Sequence, residues 1–176
     1  MATTPRFQIR PAQLEDAQGI RQLYLAVARI EGGLARVESE ISEEYIHHNL
    51  SSGIHKGVCL VAVQDTQIIA EIHAYPPFPK VFAHVLSDLT IAVHPEFQGS
   101  GVGRAIFTEL LSTVKEQQAH ILRVELIARE SNQKAIRFYQ SLGFEIEGAM
   151  KGRIRRPDGN FEADIPMAWV RTNTHP

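Results

Sequence analysis

The chain has 176 residues, of which 44% are hydrophobic and 22% are charged, and its formal net charge is −2. The near-balanced charge argues against a protein whose main task is to bind nucleic acid, because such proteins are usually basic. No window approaches the roughly 20 apolar residues that a membrane-spanning helix requires, and residues 1–10 lack the apolar stretch of a signal peptide. We therefore predict a soluble, cytoplasmic protein whose partners include neither nucleic acid nor a membrane.

The cysteine and histidine residues give no sign of a disulfide or a metal. The only cysteine, Cys59, cannot form an internal disulfide, and its apolar neighbours predict an inert thiol in a buried strand. The histidines are scattered, and no Cys/His spacing fits a zinc site. We predict no metal.

The first half of the chain predicts a strand, two helices, a β-hairpin and a further strand. Residues 7–10 alternate apolar and polar side chains, and after Pro11 apolar residues recur at helical steps of three and four. These residues are Leu14, Ala17, Ile20, Tyr24 and Val27. The other predicted elements are a helix capped by Ser42 and ending at 51–53, a hairpin of strands 58–63 and 67–75, a loop at 76–79 whose aromatic residue could line a pocket, and a strand at 85–93.

The second half of the chain alternates helices and strands. The predicted elements are a helix at 103–119, a strand at 121–128, a helix from Ser131 to Leu142 that Gly143 ends, and strands at 144–155 and 161–170 joined by an Asp158–Gly159 turn. The order is β-α-α-β-β-β-α-β-α-β-β, without a repeat or a linker. This pattern predicts one α/β (α+β) domain with a mixed sheet over residues 1–176.

The most informative segment runs from Val93 to Arg104, after a predicted strand and at the start of a predicted helix. Glycines at 99, 101 and 103 allow the backbone to turn tightly. Several N–H groups can then point into one concavity, and the helix N-terminus adds a partial positive charge, which suits a pyrophosphate. The glycine spacing fits neither the dinucleotide-binding fingerprint nor the Walker loop.

Two motifs together indicate a family. The motifs are Gln98-x-x-Gly101-x-Gly103 and, further along the chain, Asn132-x-x-Ala135-x-x-x-Tyr139-x-x-x-Gly143-Phe144. With both in this order, the chain resembles the GNAT N-acetyltransferases over roughly residues 7–170. Its C-terminal part is similar to the branch that acetylates small amines and amino acids, including the phosphinothricin-type enzymes. The resemblance implies a central mixed, mostly antiparallel twisted sheet with helices on both faces.

The same resemblance implies that acetyl-CoA is the co-substrate and where it binds. The backbone of Ile91, Ala92 and Val93 would pair with the pantetheine arm, as an added strand pairs with a sheet edge. The pyrophosphate would be held by the backbone of Gln98, Gly99, Ser100, Gly101, Val102, Gly103 and Arg104. Asn132 would bind the cofactor arm, and Lys134 and Arg137 could assist at the nucleotide phosphate.

Acetyl transfer from a thioester to an amine needs a neutral amine, a stabilised oxyanion and a leaving thiolate, but no protein nucleophile. Tyr139 matches the family's general acid. Because a phenol has a pKa near 10 and a thiol one near 8.5, we expect Tyr139 to donate a hydrogen bond to the thiolate. For the general base the sequence leaves Asp88, Glu71 and His73 open, in that order. The last two are two residues apart on one strand and face the same side.

The acceptor site can be predicted only by position. The family usually builds it from the first helix pair and the final hairpin. There Glu31 could bind an ammonium group, and Arg153 or Arg155 a carboxylate. We predict an N-acetyltransferase that acts on the primary amine of a small molecule such as an amino acid, through a ternary complex, in a homodimer. The alternatives are a protein N-terminal or lysine acetyltransferase and a non-catalytic acyl-CoA-binding regulator.

Overall fold

The computed structural model describes residues 7–30 and 32–172. Within them the strands are β1 Gln8–Pro11, β2 Val58–Gln64, β3 Gln67–Tyr75, β4 Val85–Val93, β5 Arg123–Arg129, β6 Glu145–Ile146, β7 Met150–Arg155 and β8 Phe161–Val170. The α-helices are α1 Ala17–Ala28, α2 Glu43–Lys56, α3 Val102–Gln117 and α4 Gln133–Ser141. The strand order is β1-β2-β3-β4-β5-β8-β6, and β7 also pairs with β8. Strands β4 and β5 are parallel, whereas β8 is antiparallel to its neighbours. The mixed sheet flanked by helices confirms the predicted fold class.

The chain divides into two compact units. The N-terminal unit comprises the residues up to Tyr75 together with Thr90–Gln118, and the C-terminal unit comprises Pro76–Leu89 together with the residues from Ala119 onward. Strand β4 therefore contributes its first half to one unit and its second half to the other. The single domain over the whole chain stays a prediction.

In the N-terminal unit, helices cover both faces of β2. Cys59 and Val61 belong to a core cluster with residues of α1 and α2. Leu60 and Ala62, which alternate with them, are also buried, and α3 contacts both β2 and β3. Because successive side chains of a strand point to opposite faces, each face needs its own apolar cover. This double burial explains why β2 is an almost continuous apolar run.

The start of α1 differs from the prediction. Residues 14–16 form a short 3-10 turn, and Leu14 is 47% exposed although the helical pattern predicted it on the buried face. The helix proper begins at Ala17, and its buried residues include Ile20, as predicted. The Arg10 guanidinium makes two 2.8 Å hydrogen bonds to the Asp16 carboxylate, which ties β1 to this turn.

Helix α2 begins where the sequence predicts and ends later. Ser42 Oγ accepts a hydrogen bond from the Tyr45 N–H at 3.0 Å, which confirms the cap. The predicted end at 51–53 is wrong, because the helix continues to Lys56. Gly53 lies inside the helix at a close approach to β2, where a Cβ would stand 2.8 Å from the Cβ of Cys59. This glycine serves close packing and does not end the helix.

In the C-terminal unit, β8 pairs with β5 from Asp164 to Val170. Gly143, with φ of 92°, follows α4 as predicted, and the hairpin turn at Asp158–Gly159 is confirmed. The predicted single strand at 144–155 is wrong, because β6 and β7 are separate. Pro166 of β8 accepts a hydrogen bond from the Glu147 N–H at 2.9 Å. Since proline has no N–H to donate in return, the ladder is interrupted there.

Candidate active site

The glycine turn follows β4 and a short 3-10 turn, and it leads directly into α3. Gly99 and Gly101 have φ angles of 78° and 88°, a backbone conformation that favours glycine. Nothing lies within 4 Å of the position that a Cβ would occupy at either residue. Residues 98–101 are exposed. The turn therefore presents an open backbone surface.

The first turn of α3 supplies hydrogen-bond donors at this surface. The N–H groups of Gly101, Val102 and Gly103 donate to no backbone carbonyl of the described residues, whereas the Ala105 N–H bonds back to the Gly101 carbonyl at 3.0 Å. The first N–H groups of a helix lack intrahelical acceptors and carry the positive end of its dipole. Val102 is fully buried and anchors this end of the helix. The arrangement fits an anion such as a pyrophosphate.

The strand segment Ile91–Val93 lies immediately before the turn. The Ala92 side chain is buried, and its two neighbours are half-buried. Strand β4 pairs with β5 only through Val85 and Leu86, so the ladder with β5 does not extend to 91–93. The Gln98 side-chain amide donates a 3.4 Å hydrogen bond to the Val93 carbonyl. This part of β4 therefore fits the predicted backbone pairing with an extended ligand.

Tyr139 lies in the last turn of α4, in the C-terminal unit. Its half-buried ring stands 5.5 Å from the ring of Phe138 and 6.2 Å from that of Phe144. Burial raises the pKa of the phenol to about 12. The hydroxyl is therefore protonated at neutral pH, which suits a hydrogen-bond donor better than an acid that releases its proton.

Asn132 is the N-cap of α4. Its Oδ1 accepts a hydrogen bond from the Ala135 N–H at 3.1 Å. The cap uses the oxygen of this exposed side chain, and the NH₂ group is not part of it. Lys134 and Arg137 are exposed on the same helix. Contacts of these three residues with a cofactor stay predictions.

The candidate bases lie in different surroundings. Asp88 is exposed and has φ of 49° in the interior of β4, two residues beyond the last pairing with β5. Glu71 is 1% exposed, and its Oε1 lies 2.9 Å from Nδ1 of His73. The structure thus brings Glu71 and His73 together, as their spacing predicts. It adds Tyr24 and Cys59 as hydrogen-bond donors to the same carboxylate, which the sequence analysis missed.

The candidate acceptor residues receive little support. Glu31 lies outside the described residues. Arg153 Nε is 3.2 Å from Asp164 Oδ2, so it already has an anionic partner, whereas Arg155 is exposed. Phe78 in the proline-rich loop is 94% exposed. Within residues 7–30 and 32–172, no cluster of three His, Cys, Asp or Glu residues is arranged to hold a metal ion.

Comparison with known proteins decides the family. Residues 55–146, just over half of the chain, match the acetyltransferase (GNAT) domain. The chain belongs to the GNAT acetyltransferase family. The two motifs that carry the resemblance, at 98–103 and 132–144, both lie within the matched residues.

Individual relatives are similar over shorter stretches. The GNAT chain is 35% identical over 75 residues to the ribosomal protein bS18-alanine N-acetyltransferase of Escherichia coli K12, which is 43% of this chain and 49% of that protein. It is 29% identical over 69 residues to the L-amino acid N-acyltransferase MnaT of the same organism, 39% and 38% of the two chains. The chain thus matches less than half of the length of either curated relative.

Solved structures share the fold over nearly the whole GNAT chain. The phosphinothricin acetyltransferase of Sinorhizobium meliloti, in complex with acetyl-CoA, superposes with a TM-score of 0.80 at 21% identity, covering 94% of this chain and 88% of that one. At this identity the likeness shows the fold alone. In the part of the chain that the structure describes, no helix is long and apolar enough to cross a bilayer.

Proposed function

We propose that this enzyme transfers the acetyl group of acetyl-CoA to the primary amine of a small molecule, an amino acid or a related amine, by direct attack in a ternary complex. The observation that carries the proposal is the open glycine turn with unpaired N–H groups at the start of α3. The similarity to an L-amino acid N-acyltransferase supports the class of acceptor.

The chain's own backbone supplies most of the proposed acetyl-CoA site. Within the segment 98–104, the N–H groups of Gly101, Val102 and Gly103 bind the pyrophosphate, and the exposed Arg104 adds a positive charge beside it. Residues 91–93 pair with the extended arm, and the Asn132 amide donates to the same arm. When bound, acetyl-CoA supplies an acetyl group activated as a thioester.

Three side chains have proposed roles in the transfer. Tyr139 donates a hydrogen bond to the sulfur as the C–S bond breaks, since its raised pKa keeps it protonated. Asp88 is an exposed carboxylate and accepts a proton from the attacking nitrogen. Glu71 is buried among hydrogen-bond donors, so it acts through a neighbouring group without touching the amine. Cys59 is also buried, which agrees with a transfer that needs no nucleophile of the protein.

A protein N-terminus is the second candidate acceptor. It is favoured by the 35% identity to a ribosomal-protein alanine N-acetyltransferase. A free amino acid and an N-terminal residue both present an α-amino group, but only the free amino acid has an α-carboxylate beside it. The two acceptors can therefore be separated by assay.

The test is acetyl-CoA-dependent thiol release with free amino acids, polyamines, aminoglycosides and short peptides. We expect the highest kcat/KM with a free amino acid or a related small amine. A rate with peptides alone would reject the small-molecule acceptor and support the protein acceptor. If no acceptor gave thiol release and acetyl-CoA did not bind, the proposed role of the glycine turn would be rejected.

We also propose a homodimer in the cytoplasm. Exposed apolar side chains on β8, Phe161 and Val170, support an association through the C-terminal unit. The proposed cytoplasmic location is supported by the single cysteine, which cannot form an internal disulfide. Sedimentation equilibrium tests the dimer, and a monomer at micromolar concentration would reject it.

A further inference from the structure

Four buried ionisable side chains meet in the N-terminal unit, and we call them the Glu71 cluster: Tyr24 of α1, Cys59 of β2, and Glu71 and His73 of β3. Each is at most 5% exposed. The Tyr24 hydroxyl donates to the Glu71 carboxylate, whose Oε1 lies 3.3 Å from Cys59 Sγ and 2.9 Å from His73 Nδ1. A buried carboxylate costs several kcal/mol unless its partners are well placed. An apolar side chain would serve stability as well, so the cluster suggests a further role.

The hydrogen bonds of the cluster determine where its protons lie. Burial, and next to it the charge of Glu71, raise the pKa values of the Tyr24 phenol and the Cys59 thiol. Both groups therefore stay protonated and donate to Glu71. His73 Nδ1 lies 2.9 Å from the same carboxylate, a distance at which a protonated Nδ1 donates to it. A carboxylate partner at Nδ1 favours the tautomer whose proton is on that nitrogen.

The second nitrogen of His73 remains for proton exchange. Among the described residues, the side-chain hydrogen bonds of His73 all involve Nδ1. Its ring stacks on Tyr75 at a centroid distance of 5.9 Å, and the exposed His48 of α2 meets the edge of Tyr75 at 6.1 Å. Tyr75 is fixed in turn by a 2.8 Å hydrogen bond to Asn49. This series of packed rings leads from the buried carboxylate toward the surface of α2.

The acceptor nitrogen gives up two protons during the transfer. An acceptor ammonium loses one proton to become a nucleophile and a second one when its nitrogen bonds to the acetyl carbon. As the C–S bond breaks, the sulfur takes up one proton, and the other is released to solvent. Asp88 is proposed to accept the proton of the attacking nitrogen, which leaves the earlier deprotonation to another group.

We propose that Glu71 and Tyr24 are positioning residues that hold His73 with Nδ1 protonated, and that Nε2 of His73 accepts, through water, the proton that the acceptor ammonium loses before attack. This inference rests on the proposed function. A carboxylate that orients an imidazole and stabilises its charged form is a recurring arrangement for proton transfer near neutral pH.

The pH dependence of kcat/KM for the acceptor tests the proposal. His73→Gln should lower kcat/KM about 100-fold or more near pH ~7 and change the shape of the pH profile. The affinity for acetyl-CoA should not change. Glu71→Gln should also change the profile, because an NH₂ group would face the cluster's donors. His120→Gln, at an exposed histidine of the C-terminal unit, is the control and should match the wild type.

A second measurement keeps the proposal testable if Glu71→Gln does not fold. In ¹⁵N-histidine spectra of the wild-type protein, the signals lost in His73→Gln should show the Nδ1-protonated tautomer. The Nε2-protonated tautomer, or a pH profile unchanged in His73→Gln, would overturn the role of His73. A wild-type enzyme that releases no thiol with any acceptor would reject the proposed function instead, and the spectra would still report the tautomer.

Discussion

The Tyr139 hydroxyl shows how burial can favour one proposed chemical role over another. Its ring lies between aromatic neighbours, and its pKa of about 12 exceeds that of any thiol that would leave during acetyl transfer. Full transfer of its proton to a thiolate is therefore unfavourable, whereas a hydrogen bond to the developing charge costs no ionisation. The role of Tyr139 as a hydrogen-bond donor to the thiolate stays a prediction.

At the same scale, Tyr139→Phe should lower kcat about 10- to 100-fold, because a hydrogen bond to a charged group contributes about 1.5–3 kcal/mol. The dissociation constant of acetyl-CoA, measured by calorimetry, should change little. Tyr45→Phe removes a half-buried hydroxyl of α2 and is the matched control. Full kcat in Tyr139→Phe would contradict the proposed role.

At the scale of elements, the glycine turn allows a matched comparison. Gly101→Ala should weaken acetyl-CoA binding at least about 10-fold, because an alanine at φ of 88° costs about 1–2 kcal/mol and redirects the N–H groups. Gly159→Ala is the control, since Gly159 has φ of 86° and equally open space, but lies in the β7–β8 hairpin. Both variants should lose similar stability, and only the first should lose affinity. Equal affinity in both would argue against the turn as the pyrophosphate site.

The ion pair between Arg10 of β1 and Asp16, just before α1, should make a pH-dependent contribution to folding stability. The hydrogen bonds from Arg10 lower the pKa of Asp16 below its ordinary value of 3.8. The pair therefore stabilises the folded state above that value, and the contribution is lost as the pH falls through the lower folded pKa. Asp16→Asn should reduce the free energy of unfolding by about 1 kcal/mol near neutral pH.

Urea unfolding at several pH values measures this difference. The difference in the free energy of unfolding between Asp16→Asn and the wild type should shrink as the solution is acidified below the ordinary carboxyl pKa. Asp65→Asn, at an exposed aspartate in the β2–β3 turn, should show no such trend. If this difference grew in acid, Asp16 would stabilise the folded state at low pH, opposite to what its lowered pKa predicts.

Elements were predictable where their signals are local. The Ser42 cap, the Gly143 stop and the Asp158–Gly159 turn depend on a few neighbouring residues, and all three are confirmed. Gly53 was wrongly predicted to end α2, and the effect of Pro166 on the strand at 144–155 was not predicted, because both roles depend on other strands. One is close to Cys59 across the α2–β2 contact, and the other interrupts a ladder from the partner strand.

At the scale of the whole molecule, the family and fold class follow from two motifs and the order of elements, and both are confirmed. Only part of the Glu71 cluster could be predicted from the sequence. The spacing of Glu71 and His73 on one strand predicts their shared face, but Tyr24 is 47 residues away from Glu71 in the chain. Cys59 lies opposite His73 only because of the β2–β3 register. Contacts of this kind arise from tertiary packing and leave no local pattern.

In the proposed mechanism the acetyl group moves directly from acetyl-CoA to the amine, and the chain supplies only binding, orientation and proton transfer. Initial rates of thiol release at crossed concentrations of acetyl-CoA and the best acceptor test it most directly. We expect double-reciprocal lines that intersect, and no acetylated protein after incubation with acetyl-CoA alone. Parallel lines, together with one acetyl group bound covalently to the enzyme, would contradict direct transfer and require a nucleophile that the proposed site does not contain.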